Sequence, residues 1–218
     1  MPKKIRVKIC GLCRLSDVKH AVTAGVRYLG LNFFPPSSRH VTAAEALKLV
    51  IDLPEKVVTV GLFVDASNDM LHDVIRTVPL NMLQLHGAES PDRVIEVKER
   101  FGLPVIKAIG ISNERDLEIL DHFLPVADQI LVDAKPSSES NLPGGNGLPF
   151  DWNLIAGRKW SIPWMLAGGL TPSNLVNAIT VTGACQVDLS SGVESAPGVK
   201  DHDLIDAFMQ AVKSVAFD

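Results

Sequence analysis

Val57-Val58-Thr59-Val60-Gly61-Leu62-Phe63-Val64 is a nearly unbroken apolar run of strand length. A half-exposed strand alternates apolar and polar residues, whereas a strand covered on both faces stays apolar throughout. This stretch therefore reads as a buried strand of a parallel sheet. Similar runs recur outward from it at 5–10, 28–33, 81–85, 104–108, 129–133, 163–167 and 185–189, which makes eight strands. Helical patterns lie between them. Thr42 with Glu45 makes a capping box, in which each residue satisfies a free backbone N–H of the other. Ser90-Pro91 and Thr171-Pro172 each read as an N-cap followed by proline at the first helical position. Ser16-Asp17, Ser112 and Asp201 open three more helices. Gly25 and Gly102 stand where helices should end.

Eight β/α units in 218 residues predict an α/β protein, a single-domain (β/α)8 barrel of the TIM type spanning residues 1–218 with no linker. A doubly wound open sheet is the alternative. It usually has fewer strands, and the first turn here lacks the G-x-G-x-x-G pattern of dinucleotide folds.

Composition narrows the function. The chain is 46% hydrophobic and 21% charged, with a net charge of −4 and scattered basic residues. That balance offers no nucleic-acid or membrane surface. No apolar run reaches the ~18 residues of a membrane span. Met1-Pro2-Lys3-Lys4 leads only into a strand-length apolar run, so no signal peptide is expected. Three cysteines, an odd number, point to a reducing cytoplasm rather than a disulfide framework.

In such barrels the active site lies at the C-terminal ends of the strands. The first ends in Val7-Lys8-Ile9-Cys10-Gly11. Residues two apart share a strand face, so Lys8 lies beside Cys10. A nearby cation draws a thiol pKa down from ~8.5, which would make Cys10 a partly ionised base. The bland alternative is a small buried hydrophobe. Pro35-Pro36-Ser37-Ser38-Arg39 follows strand two, and a guanidinium held there can bind a carboxylate with two parallel hydrogen bonds. A solvated arginine fits the same residues. Strand four ends in Gln84-Leu85-His86-Gly87, where His86 reads first as a packed histidine. Strand six ends at Asp133, with Lys135 two residues on. A salt bridge to Lys135 would lower the acid's pKa, so burial must outweigh it if Asp133 donates protons.

Gly168 and Gly169 follow strand seven, and Asp188, Ser190, Ser191 and Gly192 follow the last. Glycine-rich turns at these two loops form the usual phosphate grip of this fold. Residues 136–149 have no periodicity and many turn formers, and they read as a lid in which Gly145 and Gly147 add backbone amides. Cys10-Gly11-Leu12-Cys13 is also a C-x-x-C redox pattern. It fits locally, but the chain has too many β/α units for a thioredoxin-like fold. Zinc fits poorly, because Cys185 is the only other thiol and no His pair has ligand spacing.

Together these stretches resemble the phosphoribosylanthranilate isomerase family over the whole chain. The resemblance rests on Lys8-Ile9-Cys10-Gly11, Pro36-Ser37-Ser38-Arg39, Gln84-Leu85-His86-Gly87 and Asp133-Ala134-Lys135. It continues in Gly144-Gly145-Asn146-Gly147 with Phe150-Asp151-Trp152, in Ala167-Gly168-Gly169-Leu170, and in Asp188-Leu189-Ser190-Ser191-Gly192-Val193-Glu194. It implies an Amadori rearrangement in tryptophan biosynthesis, with Cys10 as general base and Asp133 as general acid. Arg39 would hold the anthranilate carboxylate. Amides around Gly145, Gly147, Gly168, Gly169, Ser190, Ser191 and Gly192 would hold the phosphate. Lys8 and His86 are further candidates. No metal and no cofactor is implied. The implied partner is a small phosphorylated substrate, with no nucleic acid and no membrane, and the chain is expected as a monomer or homodimer. Two positions depart from the family pattern: Cys13 stands where threonine is usual, within reach of a disulfide to Cys10, and Leu148 replaces a polar lid residue. A related histidine-pathway isomerase runs the same rearrangement with aspartate where Cys10 stands.

Overall fold

The computed structural model describes residues 4–135 and 150–215. Eight parallel strands close into a barrel in chain order. They are β1 Arg6–Cys10, β2 Tyr28–Asn32, β3 Val58–Phe63, β4 Met82–Leu85, β5 Val105–Ile111, β6 Gln129–Ala134, β7 Trp164–Leu166 and β8 Gln186–Leu189. Because β1 pairs with both β2 and β8, no edge is left, and the open-sheet alternative falls. Every strand lies where an apolar run stood, although β5 continues past residue 108 to Ile111.

Among the described residues seven α-helices wrap the barrel: α1 Leu15–Ala24, α2 Ala43–Val50, α3 Asn68–Thr77, α4 Pro91–Phe101, α5 Glu114–Asp121, α6 Leu175–Thr182 and α7 His202–Ser214. Between β6 and β7 the described residues hold only a short 3-10 turn, Trp152–Ile155, where a helix was expected. The Thr42–Glu45 box, the Ser90-Pro91 cap, the Asp201 cap and the left-handed Gly25 and Gly102 ends all form as read.

Three starts move. Helix α1 begins at Leu15 without a side-chain cap, because the buried Asp17 is taken by Arg14, Ser16 and His202. Asn113 rather than Ser112 caps α5. Thr171 does not cap α6. Its backbone N–H is bound by Asn174 Oδ1, residues 172–174 make a turn, and the helix starts at Leu175.

Side-chain alternation divides the core in two. Tyr28, Val60, Ile106, Ala108, Leu131, Met165 and Ala167 fill the barrel interior. Ile9, Leu29, Leu31, Phe63, Leu83 and Val132 face outward and pack under helix residues such as Val18, Ala46, Leu71 and Val94. One element was not expected. A hairpin, β9 Glu194–Ala196 with β10 Val199–Lys200, stands between β8 and α7. Among the described residues no helix is long and apolar enough to cross a membrane.

Candidate active site

Cys10 ends β1 fully within the barrel mouth, 6% exposed. Its Sγ lies against β2 at Gly30, where an added Cβ would come within 2.8 Å of the sulfur. Any larger residue at Gly30 would displace the thiol. Lys8 shares the face of Cys10 and is wholly buried. Its Nζ meets Asp188 Oδ1 at 3.0 Å, as the register Lys8↔Asp188 dictates. Burial works against the Lys8 ammonium, but Asp188 and Cys10 outweigh it and hold its pKa above the ordinary value.

The thiol does not sit below its usual pKa, as the sequence led us to expect. Burial pushes Cys10 up, Lys8 pulls it back, Asp188 adds to the rise and Lys200 opposes it. The cation is where it was expected, and desolvation is the larger effect. Cys10, Cys13 and Cys185 are free thiols, and Cys13 Sγ faces the carbonyls of Arg39 at 3.3 Å and Gly11 at 3.6 Å.

Asp133 is the next-to-last residue of β6 and is also buried. Its Oδ1 accepts from the Ala134 backbone at 2.8 Å, and its Oδ2 lies 3.4 Å from His86 Nε2. Gln84 Nε2 donates to His86 Nδ1 at 2.9 Å, which leaves the ring proton on Nε2, facing Asp133. The other Gln84 atom, Oε1, is buried with no partner among the described residues. Lys135 does not pair with Asp133. It reaches outward to Asp116 at 2.6 Å, so the strand-end carboxylate is left to His86. His86 is packed and hydrogen-bonded, as read, and its Nε2 faces the candidate acid. The signal for it was the Gln84–His86 spacing, which puts both side chains on one strand face.

The two glycine loops come together. Gly168 and Gly169 both take left-handed backbone, and Gly192 packs so closely that an added Cβ would lie 1.9 Å from the Leu170 carbonyl oxygen. Among the described residues no oxygen accepts from the N–H of Gly168 or Gly169. Ser190 Oγ donates to the Cys10 carbonyl at 2.9 Å, which ties the second loop to β1. Asp188 turns its carboxylate to Lys8, where it serves the thiol's surroundings rather than an anion. Gly145 and Gly147, with the rest of the expected lid 136–149, lie outside the described residues.

Arg39 is buried rather than solvated. Its Nε and Nη2 both donate to Glu194 at 2.8 Å, so one guanidinium edge is already occupied and the Nη1–Nη2 edge is the one left for a ligand. Glu194 also accepts from Lys200 at 2.7 Å. Lys200 was not foreseen at this site. A lone lysine just ahead of a helix cap carries no sequence signal of its own. Among the described residues, no group of three or more His, Cys, Asp or Glu side chains is placed to hold a metal ion.

Comparisons with known proteins agree on one family. The family model for N-(5'-phosphoribosyl)anthranilate (PRA) isomerase matches residues 7–211. The chain is 59% identical to the N-(5'-phosphoribosyl)anthranilate isomerase of Cereibacter sphaeroides over 210 residues, covering 96% of this chain and 99% of that one. It is 52% identical to that of a Ruegeria species, covering 97% and 99%. Among solved structures it resembles monomers derived from the dimeric enzyme of Thermotoga maritima, with a TM-score of 0.83, 38% identity and coverage of 96% and 98%. A phosphoribosylanthranilate isomerase bound to reduced 1-(o-carboxyphenylamino)-1-deoxyribulose 5-phosphate matches with a TM-score of 0.84, 38% identity and the same coverage.

Proposed function

The chain belongs to the N-(5'-phosphoribosyl)anthranilate isomerase family, and on that premise we propose that Cys10 is its general base and Asp133 its general acid. The protein is an isomerase of tryptophan biosynthesis. Its reaction turns N-(5-phosphoribosyl)anthranilate, an aminoaldose, into an aminoketose, 1-(2-carboxyphenylamino)-1-deoxyribulose 5-phosphate.

Asp133 gives its proton to the ribose ring oxygen, and the C1–O bond breaks to leave a Schiff base. The Cys10 thiolate takes the proton from C2, and the electron pair moves to the nitrogen to give an enolamine. Tautomerisation then yields the ketone. One proton leaves Asp133 and one reaches Cys10; substrate and product have the same composition, so a proton passed from Cys10 back to Asp133 through solvent restores both groups for the next turnover. Each positioned transfer contributes roughly 10²–10⁴-fold.

The observation that carries this reading is that Cys10 and Asp133 end strands of one closed barrel at the same mouth. Asp188 acts electrostatically on Cys10 and is itself acted on by Asp133 and His86, with Lys8 against it at 3.0 Å. A thiol raised by burial is a stronger base once ionised, and Lys8 keeps that ionisation within reach. His86 steadies Asp133. The free edge of Arg39 binds the anthranilate carboxylate. The backbone around Gly168, Gly169, Ser190, Ser191 and Gly192, with Gly145 and Gly147, holds the phosphate. The working unit is one barrel of residues 1–218 in the cytoplasm, as a monomer or a homodimer.

The test is consumption of N-(5-phosphoribosyl)anthranilate, followed by loss of its fluorescence. C10S and D133N should each lower kcat by at least about 10²-fold with KM little changed. A folded, reduced parent that consumes none, or a C10S enzyme that keeps the parent's rate, would overturn the assignment.

A further inference from the structure

Lys200 belongs to the hairpin outside the barrel, yet its side chain is fully buried beside the mouth. Its ammonium makes three contacts there: Glu194 Oε1 at 2.7 Å, the Ser190 carbonyl at 3.0 Å and Ser190 Oγ at 3.1 Å. Ser190 Oγ in turn donates to the Cys10 carbonyl. Glu194 holds Arg39 by its other oxygen as well as by Oε1. The hairpin turn closes on the loop after β2, since a Cβ on Gly198 would lie 2.8 Å from the Ser38 carbonyl oxygen, next to Arg39. Arg14 fixes the same residue from behind, through the Lys200 carbonyl at 2.8 Å.

We propose that Lys200 is a positioning residue for the rearrangement: held by Glu194, it ties the loop after β8 to the end of β1 and keeps a second cation beside Cys10. The pair Glu194–Lys200 thereby couples the base, the phosphate loop and the guanidinium through one buried charge pair. This proposal rests on Cys10 as the base.

The charged groups around the thiol come from each packed element: Lys8 on β1, Arg39 after β2, Asp188 on β8 and Lys200 on β10. Those around Lys200 are Glu194 on β9, Arg39 after β2 and Cys10 itself. Burial lowers the Lys200 pKa and Glu194 opposes that fall. A buried pair of this kind often adds little net stability, because desolvation offsets its attraction. Its value here is the placement of charge.

The test reads the thiol directly. Cys10 is alkylated with iodoacetamide across pH in a C13S C185S background, and kcat and KM are measured alongside. K200M should raise the Cys10 pKa by about one unit, a tenfold loss of thiolate at fixed pH, and lower kcat in step. K200R should restore both, because it keeps the charge. E194Q should act mainly on KM, by releasing Arg39. If K200M does not fold, K200Q, which keeps a polar group for Glu194 and Ser190 but removes the charge, is read the same way. A folded K200M, or K200Q, that alkylates with the parent's pH profile would overturn the proposal. Alkylation reports the thiol whether or not it is the base, so failure of the base assignment would appear separately, as activity surviving in C10S.

Discussion

At the scale of single residues, the central balance is between burial and charge at the mouth of the barrel. Lys8 is the clearest case. K8M should move the Cys10 titration alkaline, because the nearest compensating cation is gone. It should also lower stability by about 3–5 kcal/mol, since Asp188 is left buried without its partner. K8M D188N should recover most of that loss while the thiol stays displaced. Urea unfolding beside thiol alkylation checks both halves, and an unshifted thiol in folded K8M would remove Lys8 from the account. The placement of most candidate site residues was legible in the sequence, because they lie at or just past the ends of barrel strands, and strand ends can be located from apolar runs. What could not be read was the balance of effects. The Lys8–Cys10 spacing gives the direction of one charge, but desolvation depends on everything packed around the sulfur. In the same way, the Asp133–Lys135 spacing suggested an ion pair, whereas Lys135 leaves the barrel for Asp116.

At the scale of elements, the loops after β7 and β8 act as one unit because Gly192 rests on the Leu170 carbonyl. G192A should force the loops apart, cost roughly 1–3 kcal/mol and raise KM for the phosphorylated substrate. Gly157, left-handed but with open space around its missing Cβ, provides the control. G157A should cost about 1–2 kcal/mol of backbone strain without changing KM. If G192A keeps the parent's KM, the phosphate reading of these loops fails. The helix caps make a second comparison. S90A should lose about 1 kcal/mol, because Ser90 Oγ accepts from the Arg93 N–H. T171A should lose much less, since Thr171 caps no helix. Thermal melts of the two separate these outcomes. Thr171-Pro172 and Ser90-Pro91 look alike in sequence. They differ because Asn174, two residues past the proline, takes the Thr171 N–H and the Gly169 carbonyl and delays the helix. The hairpin β9–β10 was also hidden, because its strands are too short to carry a periodic pattern.

At the scale of the whole molecule, acid is the condition that should undo the fold. Asp17, Asp116 and Glu194 are all held below the usual carboxylate range. Burial would raise each of them, but Arg14, Lys135 and Arg39, respectively, overcome it through hydrogen-bonded contacts. A carboxyl depressed in the folded state contributes stability above its unfolded pKa and loses it as pH falls through the folded one. Unfolding free energy should therefore drop as pH falls below about 4. D17N should flatten that slope as well as lower stability at neutral pH, and urea titrations between about pH 6 and pH 3 would show it. An unchanged slope would place the acid sensitivity elsewhere.

Barrel closure is what brings Cys10, Asp133 and the two glycine loops to one mouth, and it was readable because eight buried strands with helical spacers leave few other arrangements. The claim that this arrangement makes Cys10 the base has one direct measurement. The pH dependence of kcat/KM should be recorded on the same preparation whose Cys10 is titrated by alkylation. We predict that the limb on which activity rises with pH coincides with the Cys10 titration, above the ordinary thiol value, and that both move together in K8M. A limb that stays put while the Cys10 titration moves would contradict the assignment of Cys10 as base.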